Sequence, residues 1–195
     1  MNNSPYKNKD ISEWMSITEK LINKFPIKLN DIKNLVEKSF ADYLSITISE
    51  AKLQVGRDIF FPAQATGVII QKLIARKLEI FQSSKWREGD KKKDKDIVNI
   101  QDNSFSFEIK TSSSKTGIYG NRSMGHVSEN SIKKRSGYYL IINYKLPKEE
   151  DREFLIYNLR FGWIDDEDWI GQKSPTGQQS TISKSCRSLK LISIY

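Results

Sequence analysis

Asp96, Glu108 and Lys110 are the residues of this chain whose types and spacing could do chemistry. Glu108-Ile109-Lys110 ends the apolar strand pattern that begins at Phe105. Asp96 opens another, Asp96-Ile97-Val98-Asn99-Ile100. Two carboxylates and an ammonium on one hairpin suit Mg2+-dependent hydrolysis of a phosphodiester. Mg2+ takes hard oxygen ligands. Asp96 and Glu108 would supply two and the Ile109 carbonyl a third. The metal would also lower the pKa of a bound water. Lys110 would orient that water and stabilise charge developing on the phosphate. To act as a base it would need a strongly lowered pKa, and nearby carboxylates and metal pull that pKa in opposite directions. Its expected role is therefore orientation and electrostatics.

An acid two residues before a lysine is a cheap pattern where 29% of residues are charged, so chance copies are expected. Three occur: Asp31-Ile32-Lys33, Glu50-Ala51-Lys52 and Asp90-Lys91-Lys92. The first opens a helical pattern, where an acid favours the helix dipole. The last lies in an unpatterned charged run. Glu50 follows Ile46-Thr47-Ile48, but the nearest upstream acid, Asp42, sits in a helical pattern. Only Glu108 and Lys110 follow an acid at the start of a pairing strand. Phe105, Phe107 and Ile109 alternate with Ser106, Glu108 and Lys110, the period of a half-buried strand, so Glu108 and Lys110 share a face. The bland alternative is a salt-bridge ladder across a hairpin, worth little.

Other chemistries find little support. His126 is the single histidine and Cys186 the single cysteine, so no zinc set can be assembled. His126 reads as an exposed loop histidine and Cys186 as packing. Gly120 and Gly125 have the glycine spacing of a P-loop, but His126-Val127 stand where Lys and Ser or Thr are needed. No nucleotide cofactor is expected.

Several elements must hold the triad. Residues 11–25 show helical spacing through Ile11, Trp14, Ile17, Leu21 and Ile22, with Pro26 as a stop. Asn30 is placed to cap a second helix with Ile32, Leu35, Val36, Phe40 and Tyr43 inward. Pro62 opens a third, reaching about Phe81. The hairpin of 96–111 follows. Residues 138–144 form a continuous apolar run, a buried strand. Residues 154–164 read as another strand, and 188–195 could close the sheet. The polar stretches 112–136 and 165–185 read as long loops. Trp163 and Trp169 are expected to pack. The fold class expected is α/β (α+β), a mixed β-sheet flanked by helices. The chain reads as one domain over 1–195, with a helical N-terminal region over 1–61 and a catalytic core over 62–195.

Composition sets the partner. Net charge is +8 over 195 residues, and lysine and arginine in excess favour a polyanion such as nucleic acid. Mean hydropathy is −0.57, and no run approaches the roughly 20 apolar residues of a membrane span. No apolar signal segment opens the chain, and a single cysteine fits a reducing compartment, so a cytoplasmic protein without membrane attachment is expected.

Asp96…Glu108-Ile109-Lys110, on a hairpin after a helix, resembles the PD-(D/E)XK nuclease superfamily. The segments 107–123, 160–165, 168–173 and 176–179 are similar to the ScaI family of type II restriction endonucleases, and the likeness runs from the first helix to the C-terminus. The resemblance implies a restriction-endonuclease-like core and a prokaryotic homodimer. Such an enzyme would cut double-stranded DNA at a short palindromic site with Mg2+. Asp96, Glu108 and Lys110 match the superfamily's catalytic positions. Lys95 stands where the superfamily name has proline, so choosing Asp96 over Asp94 rests on its place before Ile97-Val98. Many members carry a glutamate on the preceding helix. Here Gln71 and Lys72 stand mid-helix and Glu79 comes late, which leaves the third acidic ligand open.

DNA reading would fall to the polar loops, since arginine pairs well with guanine and Asn or Gln with adenine. Asn121 and Arg122 lie in one loop, and Gln172, Lys173, Gln178 and Gln179 in the other. Ser112, Ser114 and Lys115, just past the catalytic strand, are placed to hold phosphates. The alternatives to a restriction enzyme are a repair or recombination nuclease of the same superfamily and a non-catalytic DNA-binding protein of the same fold.

Overall fold

Pro26 and Pro62 divide the first third of the chain into helical pieces. The computed structural model describes residues 4–91, 93–121, 135–172 and 179–195. A 3-10 turn at Ile11–Glu13, closed by a capping box between Asp10 and Glu13, leads into α1, Trp14–Lys24. Pro26 cannot continue that helix. Helix α2 spans Leu29–Ser45 and α3 spans Ala63–Phe81, with Pro62 immediately before it. Asn30 does not cap α2. The capping position is Lys28, without a side-chain bond, and Asn30 lies within the first turn. Leu29 packs against the core and starts the helix one turn position earlier. Between α2 and α3, β1 (Thr47–Ile48) and β2 (Leu53–Gln54) form a small hairpin.

The main sheet contains β3 (Trp86–Glu88), β4 (Ile97–Asn99), β5 (Phe107–Ser112), β7 (Gly137–Lys145), β8 (Leu155–Ile164) and β11 (Leu191–Ser193), in the order β11-β8-β7-β5-β4-β3. Strands β5 and β7 run parallel from Phe107↔Tyr138 to Ser112↔Asn143, and the other neighbours are antiparallel. A second sheet joins β6 (Gly120–Asn121), β10 (Gln179–Ile182) and β9 (Trp169–Gly171) in the order β6-β10-β9. Helix α4, Lys184–Leu189, leads into β11.

Alternation along β7 sends its side chains into two cores. Tyr138, Leu140, Ile142 and Tyr144 join the large cluster beneath α1, α2 and α3, where Phe25, Val36, Phe40, Ile70, Ile74, Trp86 and Phe161 are also buried. Tyr139 and Ile141 face the other side, with Ile118, Ile164, Trp169, Ile182, Cys186 and Leu191. Phe25, at the end of α1, touches the rings of Trp86, Phe105, Phe107, Tyr138 and Phe161 at centroid distances of 4.6 to 6.1 Å. One side chain thus ties α1 to four strands and the turn before β5.

This arrangement corrects three expectations. Strand β5 is not half-buried: Phe107, Glu108 and Ile109 are all buried, because the second core covers the face opposite the helices. Phe105 lies in a 3-10 turn, and β5 begins at Phe107. The stretches 112–136 and 165–185 are not simply loops, since β6, β9, β10 and the start of α4 lie within them. Cys186 is buried packing. Among the described residues, no helix is long and apolar enough to cross a membrane.

Candidate active site

Two neighbouring strands, β4 and β5, deliver the acids. Asp96 immediately precedes β4, and the Gly89 amide donates to its carbonyl at 3.0 Å. A Cβ on Gly89 would stand 2.0 Å from the Lys95 carbonyl oxygen, so glycine is required for that close approach. The β4–β5 ladder consists of the pair Ile97↔Phe107. Where the ladder stops, Asp96 takes over, and its Oδ2 accepts a hydrogen bond from the Ile109 amide at 2.8 Å. Asp94 is occupied elsewhere, with Arg87 Nη2 donating to it at 2.8 Å. Asp96 is thus turned toward β5 and Asp94 toward Arg87.

Glu108 is only 3% exposed and lies between two lysines. Lys110 Nζ is 3.7 Å from Oε2 and Lys95 Nζ is 3.9 Å from Oε1. Both distances are in ion-pair range but beyond a hydrogen bond. A carboxylate this deep requires compensating charge, and Lys95 and Lys110 provide it. Lys95 also donates to the Arg135 carbonyl at 3.1 Å and lies 5.2 Å from the Tyr139 ring centre. Tyr139 OH donates to the same carbonyl at 2.6 Å. Burial first, then the negative charges of Glu108 and Asp166, push the Tyr139 phenol well above its ordinary pKa. Burial also raises the Asp166 carboxyl, against the opposing pull of Arg135 and Lys95.

Sequence reasoning treated Lys95 as a departure from a motif and left Tyr139 and Asp166 unassigned. Lys95 lies at Glu108, Tyr139 feels the charge of both Glu108 and Asp166, and Asp166 feels that of Lys95. The acidic run Asp165-Asp166-Glu167-Asp168 directly after an apolar strand was the available signal.

Asp96, Glu108 and the Ile109 carbonyl are hard oxygen donors on adjoining strands, the chemistry a divalent metal of the magnesium kind prefers. Among the described residues, no group of three or more His, Cys, Asp or Glu side chains is placed to hold a metal. Two carboxylates completed by water and substrate oxygens still suit Mg2+. The α3 glutamate does not fill the open position, because Glu79 pairs with Arg76 on the same helix.

The look-alike tripeptides lie in other settings. Glu50-Ala51-Lys52 forms the exposed β1–β2 turn, with Lys52 at φ 50°. Asp31 and Lys33 occupy the first turns of α2, and Asp90 pairs with Arg87.

Of the residues expected to meet DNA, three gather at one end of the second sheet. Gln179 pairs with Asn121 across β6–β10, and the Gln172 amide donates to the Gln179 carbonyl at 3.2 Å. All three are exposed. Arg122, Lys173 and Gln178, and also His126, lie outside the described residues. Ser112 and Ser114 turn inward on their own loop: Ser112 Oγ accepts from the Ser114 amide and Ser114 Oγ from the Gly117 amide, both at 3.0 Å. Lys115 is exposed, with its Nζ 5.7 Å from the Tyr157 ring centre.

A buried ionic network lies behind Asp166. Lys190, 3% exposed, donates to Asp165 Oδ2 at 3.0 Å and to Asp168 Oδ2 at 2.8 Å. Its ammonium lies 4.3 Å from the Tyr6 ring centre and 4.4 Å from that of Trp14. Ser4 Oγ and Trp163 Nε1 both donate to Asp165. The network fastens the N-terminal segment and β11 to the turn that carries Asp166.

A mixed six-stranded sheet backed by helices, with two acids and a lysine on adjoining central strands, defines a restriction-endonuclease-like fold. The sequence model of the ScaI restriction endonuclease family matches residues 4–195. Type II restriction enzyme ScaI of Streptomyces caespitosus is 32% identical over 194 residues, covering 98% of this chain and 85% of that protein. No solved structure gives a match. The chain belongs to the ScaI restriction endonuclease family and is a type II restriction endonuclease, a site-specific deoxyribonuclease.

Proposed function

We propose that Asp96, Glu108 and Lys110 are the hydrolytic centre of this endonuclease and that its metal is Mg2+. The observation that carries the reading is the meeting of Asp96 with the Ile109 amide beside Glu108 and Lys110. Asp96, Glu108 and the Ile109 carbonyl hold the metal. When bound there, Mg2+ supplies positive charge to the phosphate and acidifies a water. Lys110 orients the attacking water and offsets charge on the phosphate oxygens as they become more negative. Lys95 holds Glu108 from the side of its other oxygen. Burial of Glu108 removes water that would weaken these interactions.

The substrate is double-stranded DNA with a short palindromic site, cut on both strands by a homodimer whose two-fold axis matches that of the site. Asn121, Gln172 and Gln179 read base edges from one end of the second sheet. Arg122, Lys173 and Gln178 adjoin them in sequence. Ser112, Ser114 and Lys115 set the backbone beside the catalytic strand. The chain acts as one endonuclease domain over 1–195, with the helices of 1–61 buttressing the core of 62–195, and it works in a prokaryotic cytoplasm.

Incubating plasmid DNA with the protein and Mg2+, beside Glu108→Gln, tests the reading. Discrete fragments from the wild type and none from the variant are expected. Random degradation would indicate a general nuclease, and no cutting by folded protein would indicate a binding protein.

A further inference from the structure

Residues 89–96 connect β3 to β4, and Asp96 is the last of them. Asp90, Asp94 and Asp96 put three carboxylates into this one connection, and like charges so close repel. Lys91 and Lys93 of the same connection are exposed. The cation that meets Asp90 and Asp94 comes instead from β3. Arg87 Nη2 donates to Asp94 Oδ2 at 2.8 Å and Nη1 to Asp90 Oδ1 at 3.0 Å. Nη1 also donates to the Glu88 carbonyl at 2.8 Å, which fixes the guanidinium on its own strand. The Asp94 side chain is 12% exposed and that of Asp90 is 69% exposed, so water screens the bond to Asp94 less.

Strand alternation sets the direction of these groups. Trp86 and Ile97 lie in the core beneath the helices, so Arg87 and Asp96, each one residue away, face the other side of the sheet. Glu108 follows Phe107 of the same core and shares that side. The Asp94 amide donates to the Lys91 carbonyl at 2.9 Å, and the Gly89 amide closes the mouth of the connection on the Asp96 carbonyl at 3.0 Å. The connection is thus tied at its turn, at its mouth and, through Arg87, across its middle. From this frame the Asp96 carboxylate reaches the Ile109 amide at 2.8 Å. A displacement of about 1 Å at a reacting centre can cost roughly 100-fold in rate.

We propose that Arg87 is a positioning residue for DNA cleavage, which acts through Asp94 and the β3–β4 connection to fix the Asp96 carboxylate against Ile109. Arg87 also occupies Asp94, the acid two residues away, and so leaves Asp96 to face β5. A lysine in its place would keep the charge but not the fork that reaches both acids. The role rests on the reading of Asp96 as one of the catalytic acids.

Two measurements check it on Arg87→Met, Arg87→Lys, Asp96→Asn and the double variant Arg87→Met with Asp96→Asn. The first is amide exchange in the protein without metal or DNA. Ile109 should exchange several-fold faster in Arg87→Met, while Leu140, its partner on β7, keeps its wild-type rate. The second is the single-turnover cleavage rate with Mg2+ and saturating enzyme, where DNA affinity does not enter. Arg87→Met should lose about 10- to 100-fold and Arg87→Lys less. Arg87→Lys, which keeps a cation at the acids, carries the comparison if Arg87→Met does not fold. The double variant should be no slower than Asp96→Asn, because a residue that works through Asp96 then has nothing left to position. Losses that multiply, or exchange that rises equally at Ile109 and Leu140, would make Arg87 a general stabiliser of the fold and overturn the proposal. Arg87 variants that cut at the wild-type rate overturn it too, and so does a defect confined to DNA affinity. In each of these outcomes Asp96→Asn remains impaired. Asp96→Asn that cuts like wild type would instead overturn the reading of Asp96 itself, and this role with it.

Discussion

The Asp96 carboxylate accepts the Ile109 amide at 2.8 Å, at the point where the β4–β5 ladder ends. One side chain thus stands in for a backbone carbonyl where the ladder ends. Asp96→Asn keeps the shape but removes the charge and offers an amide that can turn its donor toward Ile109. Cleavage with Mg2+ should fall by at least 100-fold, in line with the loss of a stabilising electrostatic group. Gel-shift binding of duplex DNA should survive. Cleavage within a few-fold of wild type would exclude Asp96 from the site.

Glu108→Ala and Lys110→Ala should each abolish cutting while leaving DNA binding largely intact. Full activity in either would contradict the assignment. Lys52→Ala is the matched control. Lys52 is exposed in a hairpin turn, and its loss should change stability by no more than about 0.5 kcal/mol. Cleavage by Lys52→Ala should match wild type.

Lys95→Met separates charge from packing. The Lys95 ammonium faces the same carboxylate that would hold the metal, so its removal lifts a like-charge repulsion. Mn2+ binding, followed by calorimetry without DNA, should tighten several-fold, while turnover falls because Glu108 loses one of its two flanking cations. Weaker Mn2+ binding would show that Lys95 acts only by shaping the pocket.

Lys190→Met leaves Asp165 and Asp168 buried without their cation and should cost about 3–5 kcal/mol in urea unfolding at pH 8. The pH sign follows from the direction of the shift. Burial opposes the charge on Lys190, but the hydrogen bond and charge of Asp168 outweigh it, and the pKa is raised. This stabilisation is complete below the unfolded lysine pKa of about 10.4 and fades as pH rises through the folded value. The gap between wild type and variant should therefore stay constant from pH 7 to 9 and narrow only above about 10.5. A gap that closes below pH 9 would rule out this account.

Asn121→Ala, Gln172→Ala and Gln179→Ala each remove a polar side chain from the same end of the second sheet. If these side chains read bases, each should cost about 1–3 kcal/mol in discrimination between cognate and altered sites. Binding to unrelated DNA should hardly change. Equal losses on both kinds of DNA would assign them to the backbone instead.

The long elements were legible because their patterns are local. Residues 63–81 carry helical spacing between Pro62 and Gln82, and 137–145 form an unbroken apolar run. Strand β5 could be placed from the alternation of Phe107 and Ile109 with Glu108 and Lys110. Its burial could not, because the cover comes from Tyr139, Trp169 and Ile182, distant in sequence. Strands β6, β9 and β10 are two to four residues long, too short to show a period. At the site, Asp96, Glu108 and Lys110 lie within one hairpin. Tyr139 comes beside Glu108 only through the pairing of β5 with β7, and Asp166 comes within reach of the charge of Lys95 only through the turn after β8; no local pattern encodes either approach.

The parallel pairing of β5 with β7 also bears on the order in which the enzyme is made. A nascent chain carries Asp96, Glu108 and Lys110 well before β7 has been synthesised, and a parallel partner cannot be supplied by a tight turn. Until residues 137–145 emerge, the catalytic strand lacks its inner neighbour, Glu108 lacks the cover of Tyr139, and Arg135 cannot hold Lys95 in place. If Asp96, Glu108 and Lys110 are the cutting residues, a chain that stops short of β7 would lack the partner strand that holds them, and would be expected to leave DNA intact.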